Sequence, residues 1–352
     1  MALLFMDSFD HYVTADLLEK WNAIYQPDVA IAVSAGNGRR STAGLRFPIG
    51  SNNHRFTLTK TVSASGAVAV VGFAFRPSNV GGPNTPAIVS IWNGGTILAT
   101  LRLNTDGTLS ACRGQHDGTV LGTTSLAPPL NVFTYIEWKV TLSTSVGTVD
   151  VRLNGISALA LTGQNTTPSL TTWTTFELGQ RIFANSWPAA MNLDHDDLYV
   201  CDGSGAAPWN GFLGDCRVDV GAPTGAGASS QWTPSAGANY QNVDDAAPDD
   251  DATYNETTTV GHVDTFVVPD AASAGATIRG VQVNLSARKT DAGTCSIAAA
   301  VKHGATTYVG ADQAPATGYA NLSTVFQTNP GTSAAWVEAD FNAAEFGYKR
   351  TA

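Results

Sequence analysis

The sequence predicts an all-β protein made of two antiparallel β-sandwich modules. Three observations indicate this class: only 14% of the 352 residues are charged, 35 residues are Gly, and short apolar or alternating segments recur between Gly and Asn turns. Helical bundles need charged outer faces, which this composition does not supply. Short strands separated by turn residues at intervals of about 8–12 residues are typical of sandwiches.

One helix and a series of strands follow in chain order. Thr14–Trp21 predicts a short helix, because a Thr cap precedes apolar residues at helical spacing. Ala67–Phe75 is apolar throughout and predicts a strand buried on both faces. Alternating segments, with turns at Asp106-Gly107 and Asn154-Gly155, predict further strands at Ile88–Asn93, Thr96–Asn104, Thr134–Leu142, Thr148–Leu153, Thr175–Leu178 and Leu193–Val200.

A change of composition near residue 220 predicts a domain boundary. We expect a first sandwich over residues 1–220, a Gly/Ala/Pro-rich and acidic linker over 221–252, and a smaller antiparallel β-sandwich over 253–352. The strands predicted for the second sandwich are His262–Val268, Thr277–Leu285, Cys295–Lys302 and Trp336–Asp340.

Charge and hydropathy exclude several partners. Nineteen basic and 29 acidic residues give a net charge of −10, which disfavours nucleic-acid binding because phosphate neutralisation needs clustered Lys and Arg. An apolar run of about 18 residues, the minimum for a transmembrane helix, does not occur, so we expect no membrane partner. Met1–Met6 is too short for a secretory core, so we expect no export signal.

The four cysteines form no metal-binding pattern. Cys112, Cys201, Cys216 and Cys295 are far apart in the sequence, and we expect them to be reduced and buried. A Cys201–Cys216 disulfide is the alternative, because sequence spacing alone does not decide it.

The first module resembles concanavalin A-like, or laminin-G-like, jelly rolls. The resemblance lies in Met6-Asp-Ser-Phe9, in the hairpin Tyr135–Asn154, and in the late strand Leu193–Val200. It covers about residues 5–215. It implies two packed sheets in which the Asp-Asp-containing strand closes the domain near its first strand.

The chain also resembles structural proteins of tailed bacteriophages, either tail-associated or head-decorating. The segments that carry this resemblance are the start Met1–Tyr12, Gly211–Val218, Gln231–Ser235, Asn239–Asp245, Ala335-Trp336 and Asn342–Gly347. The resemblance implies a virion component, with other virion proteins as partners. Such proteins form symmetric homo-oligomers, often trimers.

Acidic residues are the candidates for catalysis or metal binding. Concanavalin A-like folds include glycoside hydrolases, which need two close carboxyl groups. The nearest candidates are Asp194, Asp196 and Asp197, but the expected Glu pair is absent and Glu137 and Glu177 are isolated. We expect Asp196 and Asp197 to hydrogen-bond a neighbouring loop or the start of the chain. The alternative for Asp194, Asp196 and Asp197 is a Ca²⁺ site, since this ion prefers clustered oxygen ligands.

Two other charged segments receive simpler interpretations. Asp244, Asp245 and Asp249–Asp251 lack the EF-hand spacing, and we expect a solvated loop with metal binding as the alternative. Gly36–Arg40 is Gly-rich and basic, but no strand-to-helix pattern surrounds it, so we expect a turn with two solvated Arg side chains. The six His residues are scattered and predict no zinc site.

Tryptophans near predicted loops are candidates for sugar stacking. Aromatic rings pack against sugar faces, and Trp92, Trp187 and Trp209 lie near loops or strand ends. Burial in the core is the alternative for each of them.

Together these observations predict a non-catalytic virion structural protein that acts in assembly and in attachment to a host surface. The alternatives are a carbohydrate-binding adhesin that uses the first module and a glycoside hydrolase. We expect no cofactor, with Ca²⁺ as the one candidate.

Overall fold

A computed structural model describes residues 2–26, 30–49, 56–80, 85–180 and 191–352. The chain divides into two compact units, Met1–Val218 and Asp219–Ala352. Both units are built of antiparallel strands, so the protein is all-β. Trp187 lies outside the described residues.

The first unit is a jelly-roll sandwich of two sheets. One sheet has eight strands in the order β13-β12-β11-β6-β15-β4-β3, with β1 also paired to β15, and the other has seven in the order β10-β9-β8-β7-β14-β5-β2. The strands are β1 Leu3–Asp7, β2 Ala23–Tyr25, β3 Ala32–Ala35, β4 Ala43–Ile49, β5 Phe56–Thr61, β6 Val68–Pro77, β7 Ala87–Asn93, β8 Thr96–Leu103, β9 Leu109–Arg113, β10 Thr119–Thr123, β11 Thr134–Thr141, β12 Gly147–Leu153, β13 Ile156–Gln164, β14 Thr175–Gln180 and β15 Met191–Cys201.

The core lies between the two sheets. Phe73 and Trp138 from the eight-stranded sheet and Ile91 and Leu178 from the seven-stranded sheet belong to one buried cluster. Since side chains alternate along a strand, the residues between these core positions face outward. This alternation places the candidate polar residues on the two outer faces.

The predicted helix at Thr14–Trp21 is shorter in the structure. Thr14–Asp16 forms a 3₁₀ turn and α1 spans Leu17–Lys20. Trp21 is already extended, and its ring is buried against Phe5 with 5.3 Å between ring centroids. Burial of this indole ends the helix within one turn.

The second unit has its own core and three antiparallel sheets. Their orders are β16-β19-β24-β21-β22, β17-β18 and β20-β23. The strands are β16 Gly225–Ser230, β17 Thr233–Pro234, β18 Asn255–Glu256, β19 Val263–Val267, β20 Val281–Ala287, β21 Ile297–His303, β22 Thr306–Val309, β23 Ala320–Phe326 and β24 Glu345–Arg350. Side chains of the five-stranded sheet and of the β20–β23 pair meet in one apolar cluster.

The segment 221–252 is not the separate linker that its composition predicts. Gly225–Ser230 forms β16 and pairs with β19. The backbone N–H groups of Gln231 and Trp232 donate to Asp264 Oδ1 over 2.5 and 3.0 Å. A Cβ on Gly227 would lie 2.4 Å from the Thr265 carbonyl oxygen, so the small residues of this segment allow a close approach of two strands. Low side-chain volume here indicates tight packing, not flexibility.

The strand predicted at Trp336–Asp340 is wrong. The segment contains Trp336, which is buried, and then the helix α2 Glu338–Asn342. Glu338 and Asp340 lie in the first turn of this helix, where acidic side chains interact favourably with the N-terminal end of the helix dipole.

Candidate functional site

Asp194 is held by two arginines from the neighbouring strands. The pairing of β15 with β4 and β6 places Arg46 and Arg76 directly opposite Asp194. Arg46 Nε donates to Oδ1 over 2.6 Å, and Arg76 Nη2 donates to Oδ2 over 2.7 Å. The carboxylate is 2% exposed. The strand register therefore places the Asp194 carboxylate in two ion pairs within the first unit.

Asp196 is bonded to backbone groups instead. Its Oδ2 accepts from the N–H of Arg39 over 2.6 Å, and its Oδ1 accepts from the N–H of Asp197 over 2.8 Å. Burial, together with the nearby negative charge of Asp197, raises the pKa of Asp196 to about 8. The side chain anchors the loop that contains Arg39.

Asp197 lies at an irregularity of β15. Its φ is 49°, and the register with β6 shifts between Asp196 and Tyr199. Arg40 Nη2 lies 3.1 Å from Oδ2, and the N–H of Val218 donates to Oδ1 over 2.8 Å. Burial raises its pKa, although Arg40 and Arg39 favour the charged form. This residue connects the loop to the end of the first unit.

The arginines of the Gly36–Arg40 turn are not simply solvated. Arg39 makes a bidentate pair with Asp215, with Nη1–Oδ1 and Nη2–Oδ2 distances of 2.6 and 2.8 Å. Arg40 pairs with Asp197 as described above. The expectation of two solvated side chains is therefore wrong, because the fold brings Asp197 and Asp215 to this loop from far along the chain.

The described residues do not form the predicted Ca²⁺ site. Asp194, Asp196 and Asp197 each have different partners, arginines or backbone N–H groups, in place of a shared cation position. In the part of the chain that the structure describes, three or more His, Cys, Asp or Glu side chains are nowhere grouped to hold a metal.

Glu137 is a second buried anchor on the same outer face. It lies on β11 between the core residues Ile136 and Trp138, so its side chain points away from the core. Tyr199 Oη donates to Oε1 over 2.5 Å, and the N–H of Gly214 donates to Oε1 over 2.8 Å. At 1% exposure, this carboxylate has its Oε1 occupied by internal donors.

These bonds fix the segment 207–218, which we call the closing segment, on the outer face of the eight-stranded sheet. Its Leu213 N–H donates to Tyr199 Oη over 3.1 Å, and Lys139 Nζ donates to the Asn210 carbonyl over 3.2 Å. The Arg152 guanidinium lies 4.5 Å from the centroid of the Phe212 ring. The eight-stranded sheet is therefore covered on part of its outer face by the unit's own chain.

A row of polar side chains crosses the outer face of the seven-stranded sheet. Strand register aligns Thr59, Glu177, Ser90, Thr100 and Cys112, which we call the polar row. Thr59 Oγ1 donates to Glu177 Oε2 over 3.0 Å, and the Ser90 and Thr100 hydroxyls lie 3.0 Å apart. Ser90, Thr100 and Glu177 are each at most 3% exposed.

The tryptophans predicted to stack sugars are not gathered at a loop rim. Trp92 lies on β7, two residues beyond Ser90 and therefore on the same face as the polar row, and it is 6% exposed. Trp209 lies in the closing segment and is 7% exposed. Both indoles are largely buried, so little of either ring is available to a ligand in this conformation.

The acidic loop of the second unit is partly engaged in contacts within that unit. Asp251 Oδ1 accepts from Arg288 Nη2 over 2.7 Å and from Tyr319 Oη over 2.9 Å. Asp249 Oδ2 accepts from Thr253 Oγ1 over 2.8 Å. The four cysteines are all described, and none of them forms a disulfide.

Sequence reasoning missed the residues that neutralise the acids. Arg46 and Arg76 lie in apolar strands, where a basic residue is unusual, and that is a signal that could have marked them. It also missed the buried pair Asp7 and Lys20, whose Nζ–Oδ1 distance is 3.2 Å.

Known proteins resemble this chain only in fold. No protein-family model and no curated protein matches it. Among solved structures, the cellulose-induced protein Cip1 is 14% identical, with a TM-score of 0.40 over 52% of this chain and 91% of its own. The alginate lyase Aly36B is 11% identical, with a TM-score of 0.40 over 56% and 96%. A sialidase is 10% identical, with a TM-score of 0.42 over 56% of this chain but 18% of its own.

The β-sandwich class of the first unit is established by its own two packed sheets and the core between them. In the described part of the chain, neither helix has the length or the hydropathy to cross a bilayer.

Proposed function

We propose that the protein is a non-catalytic structural component of a tailed-bacteriophage particle. The observation that supports this most is that the buried acidic side chains of the first unit are bonded to other groups of the same unit. Asp196 and Asp197 bind the Gly36–Arg40 loop, and Asp197 and Glu137 bind the closing segment. Asp194 pairs with arginines of the two neighbouring strands. A general acid or base must reach the substrate with its proton-exchanging oxygen. These carboxyl groups are almost fully buried, and their oxygens bind internal donors, except for Glu137 Oε2, which is buried without a partner among the described residues.

The assignment to a virion is supported by the sequence. The segments of phage-like sequence include Gly211–Val218, which contains most of the closing segment, and Asn239–Asp245. Asn239 Nδ2 donates to Asp264 Oδ2 over 2.7 Å in the second unit. In this proposal, such segments stabilise the individual modules, and the exposed surfaces contact other virion proteins and further copies of the chain.

Quantitative mass spectrometry of purified particles tests this proposal. Phage particles would be purified by density-gradient centrifugation from a lysate of host cells infected with a phage that encodes the chain. We expect the chain to co-purify at a fixed ratio to the major capsid protein. A chain that is abundant in the lysate but absent from banded particles would contradict the proposal.

A second candidate function is attachment to a carbohydrate through the first unit. The observation that favours it is the shared face of Trp92 and the polar row, since an aromatic ring beside hydroxyl groups is the combination that binds sugars. Trp92, Glu177, Ser90 and Thr100 are buried, so a glycan would first contact the half-exposed Thr59 of the polar row and the half-exposed Arg102.

Glycan-array binding by the purified chain tests this second function. We expect binding to be lost in Trp92→Ala and retained in Trp209→Ala, the matched control, because Trp209 lies in the closing segment, away from the polar row. Equal binding by both variants would exclude the Trp92 face. Release of new chain ends from any bound polysaccharide would contradict the non-catalytic assignment.

A further inference from the structure

A buried ion pair lies where the first strand and the first helix of the protein meet. Asp7 ends β1 and Lys20 ends α1, and the two residues are 1% and 2% exposed. Lys20 Nζ lies 3.2 Å from Asp7 Oδ1. Removing both charges from water is costly, so the site would gain from any reaction that makes the pair neutral.

The Asp7 carboxylate is surrounded by hydrogen-bond donors. Tyr12 Oη and Trp21 Nε1 donate to Oδ2 over 2.7 and 3.1 Å, and the N–H of Phe9 donates to Oδ1 over 2.9 Å. At Asp7, burial favours the neutral acid, but Lys20 and the hydrogen bonds from Phe9 and Tyr12 outweigh it and lower the pKa. The same donors would stabilise the negative charge that develops on the oxygens when a nucleophile attacks Cγ.

The Lys20 amine has a hydrogen-bond acceptor beside it. His11 Nε2 lies 2.7 Å from Lys20 Nζ, so the imidazole accepts through Nε2 and carries its own proton on Nδ1. His11 Nδ1 is buried, and no described residue accepts its hydrogen bond. Burial, together with the nearby charge of Lys20, lowers the pKa of His11 to about 3, so the ring stays neutral and acts as a hydrogen-bond acceptor that orients Nζ.

The surroundings of the pair are apolar. Lys20 Nζ lies 5.5 Å from the ring centroids of both Phe5 and Tyr12, and the rings of Phe9 and Trp21 stack with their centroids 6.1 Å apart. Burial lowers the pKa of Lys20, although Asp7 favours its charged form. A dry site of this kind favours the uncharged amine, which is the nucleophilic form.

We propose that Lys20 and Asp7 condense in the folded protein to an intramolecular isopeptide bond. The juxtaposition of a buried amine, a buried carboxyl group, a neutral imidazole and three hydrogen-bond donors carries this assignment. The structure shows the two side chains as an ion pair at 3.2 Å, the state from which the bond would form.

The reaction balances without another reactant. With Nζ oriented by its hydrogen bond to His11 Nε2, the Lys20 ammonium passes one proton to an Asp7 carboxyl oxygen across the ion pair, and the Nζ lone pair attacks Asp7 Cγ to form the C–N bond. A second proton from Nζ moves to that same oxygen. The bond from Cγ to that oxygen then breaks, water leaves, and an amide with one N–H remains. No group is oxidised or reduced.

Mass spectrometry of the folded wild-type protein tests the proposal directly. We expect the intact mass, after prolonged incubation, to be lower by one water molecule than the sequence mass. Trypsin cleaves after a free lysine but not after an acylated one, so peptide 1–20 should be replaced by peptide 1–39. Cleavage after Phe9 and Tyr12 by chymotrypsin should leave the pieces that contain Asp7 and Lys20 joined.

Two variants and one side reaction provide the controls. Lys20→Arg should keep the charge and the full sequence mass, whereas Lys60→Arg, a change at the neighbouring half-buried lysine, should still lose water. Dehydration of Asp7 to a cyclic imide would also lose water, but it would leave Lys20 cleavable by trypsin. His11→Gln should slow the loss of water at least tenfold.

The wild-type result decides the proposal even if a variant fails to fold. Folded wild-type protein that keeps its full mass, and that yields peptide 1–20 with a free Lys20, would overturn it. So would loss of water with Lys20 still cleavable.

Discussion

His195 is a fully buried ionisable residue on β15. Its ring lies among Phe47, Phe73 and Phe75, with centroid distances of 5.4, 5.3 and 5.2 Å. The side chain is fully buried, and burial lowers its pKa to about 4, although the charge of Asp194 favours the protonated form. The neutral ring therefore serves as an aromatic member of the core.

The pKa of His195 predicts a loss of stability in acid. The unfolded chain takes up this proton near pH 6.5 and the folded chain near pH 4, so stability is full above pH 6.5 and falls as the pH drops towards 4. We expect this residue to contribute on the order of 2–3 kcal/mol of that loss. Urea unfolding of wild type and His195→Phe at a series of pH values measures it.

The comparison of two curves isolates His195 from the other titrating groups. Burial raises the pKa of Asp10 to about 6 and that of Asp196 to about 8, and both groups remain in each protein. The difference between wild type and His195→Phe should therefore change between pH 7 and 4. A constant difference would show that the ring is protonated equally in both states.

At the scale of one element, β15 shows what sequence can and cannot predict. The strand itself, and the closeness of Asp194, Asp196 and Asp197 along it, could be read from the alternation of Leu193–Val200. Their partners could not, because Arg46 and Arg76 lie opposite Asp194 through sheet pairing, and Arg39 reaches Asp196 from a loop, each more than a hundred residues away in the chain. An acidic cluster in the sequence therefore predicts a group of negative charges, but it does not identify the residues that neutralise them.

The same limit explains the errors in the second unit. The composition of 221–252 predicted a linker, yet Asp264, a residue far along the chain, accepts hydrogen bonds from Gln231 and Trp232 and fixes the segment. Trp336 carried a correct signal for burial, but burial alone does not distinguish a strand from a turn that leads into a helix.

Asp194→Asn tests the role of β15 as the strand that binds the arginines. Removing the charge leaves Arg46 and Arg76 facing a neutral amide in a buried position, and we expect a loss of about 1–3 kcal/mol in the free energy of unfolding. Asp150→Asn is the control, since Asp150 is half-buried on β12 opposite Lys139 and should cost at most about 0.5 kcal/mol. Equal effects of the two changes in urea unfolding would argue against this role.

At the scale of the whole molecule, each unit has a hydrophobic core of its own. Trp138 belongs to the core of the first unit and Trp336 to that of the second. The first unit ends at Val218, whose N–H donates to Asp197. The first unit therefore contains all the ion pairs and hydrogen bonds described above for its buried acids.

Trp336→Ala should therefore destabilise the second unit selectively. Truncating a buried Trp costs about 3–5 kcal/mol, because it leaves a cavity as well as losing burial. Hydrogen exchange followed by peptide mass spectrometry should show faster exchange over β19–β24 and unchanged exchange over β11 and β15. Trp138→Ala should give the reverse pattern. Faster exchange throughout the chain in both variants would contradict two separate cores.

The central proposal is that the buried acids Asp194, Asp196, Asp197 and Glu137 of the first unit serve to maintain its structure. The free energy of unfolding of Glu137→Gln tests this most directly, since Glu137 accepts from Tyr199 and Gly214 while almost fully buried. If Glu137 anchors the closing segment, its replacement by Gln should lower the free energy of unfolding by about 1–3 kcal/mol. A carboxylate that is kept for function usually lowers stability, so its replacement usually raises the free energy of unfolding. Loss of stability is the predicted result, and an unchanged or more stable Glu137→Gln protein would contradict the account.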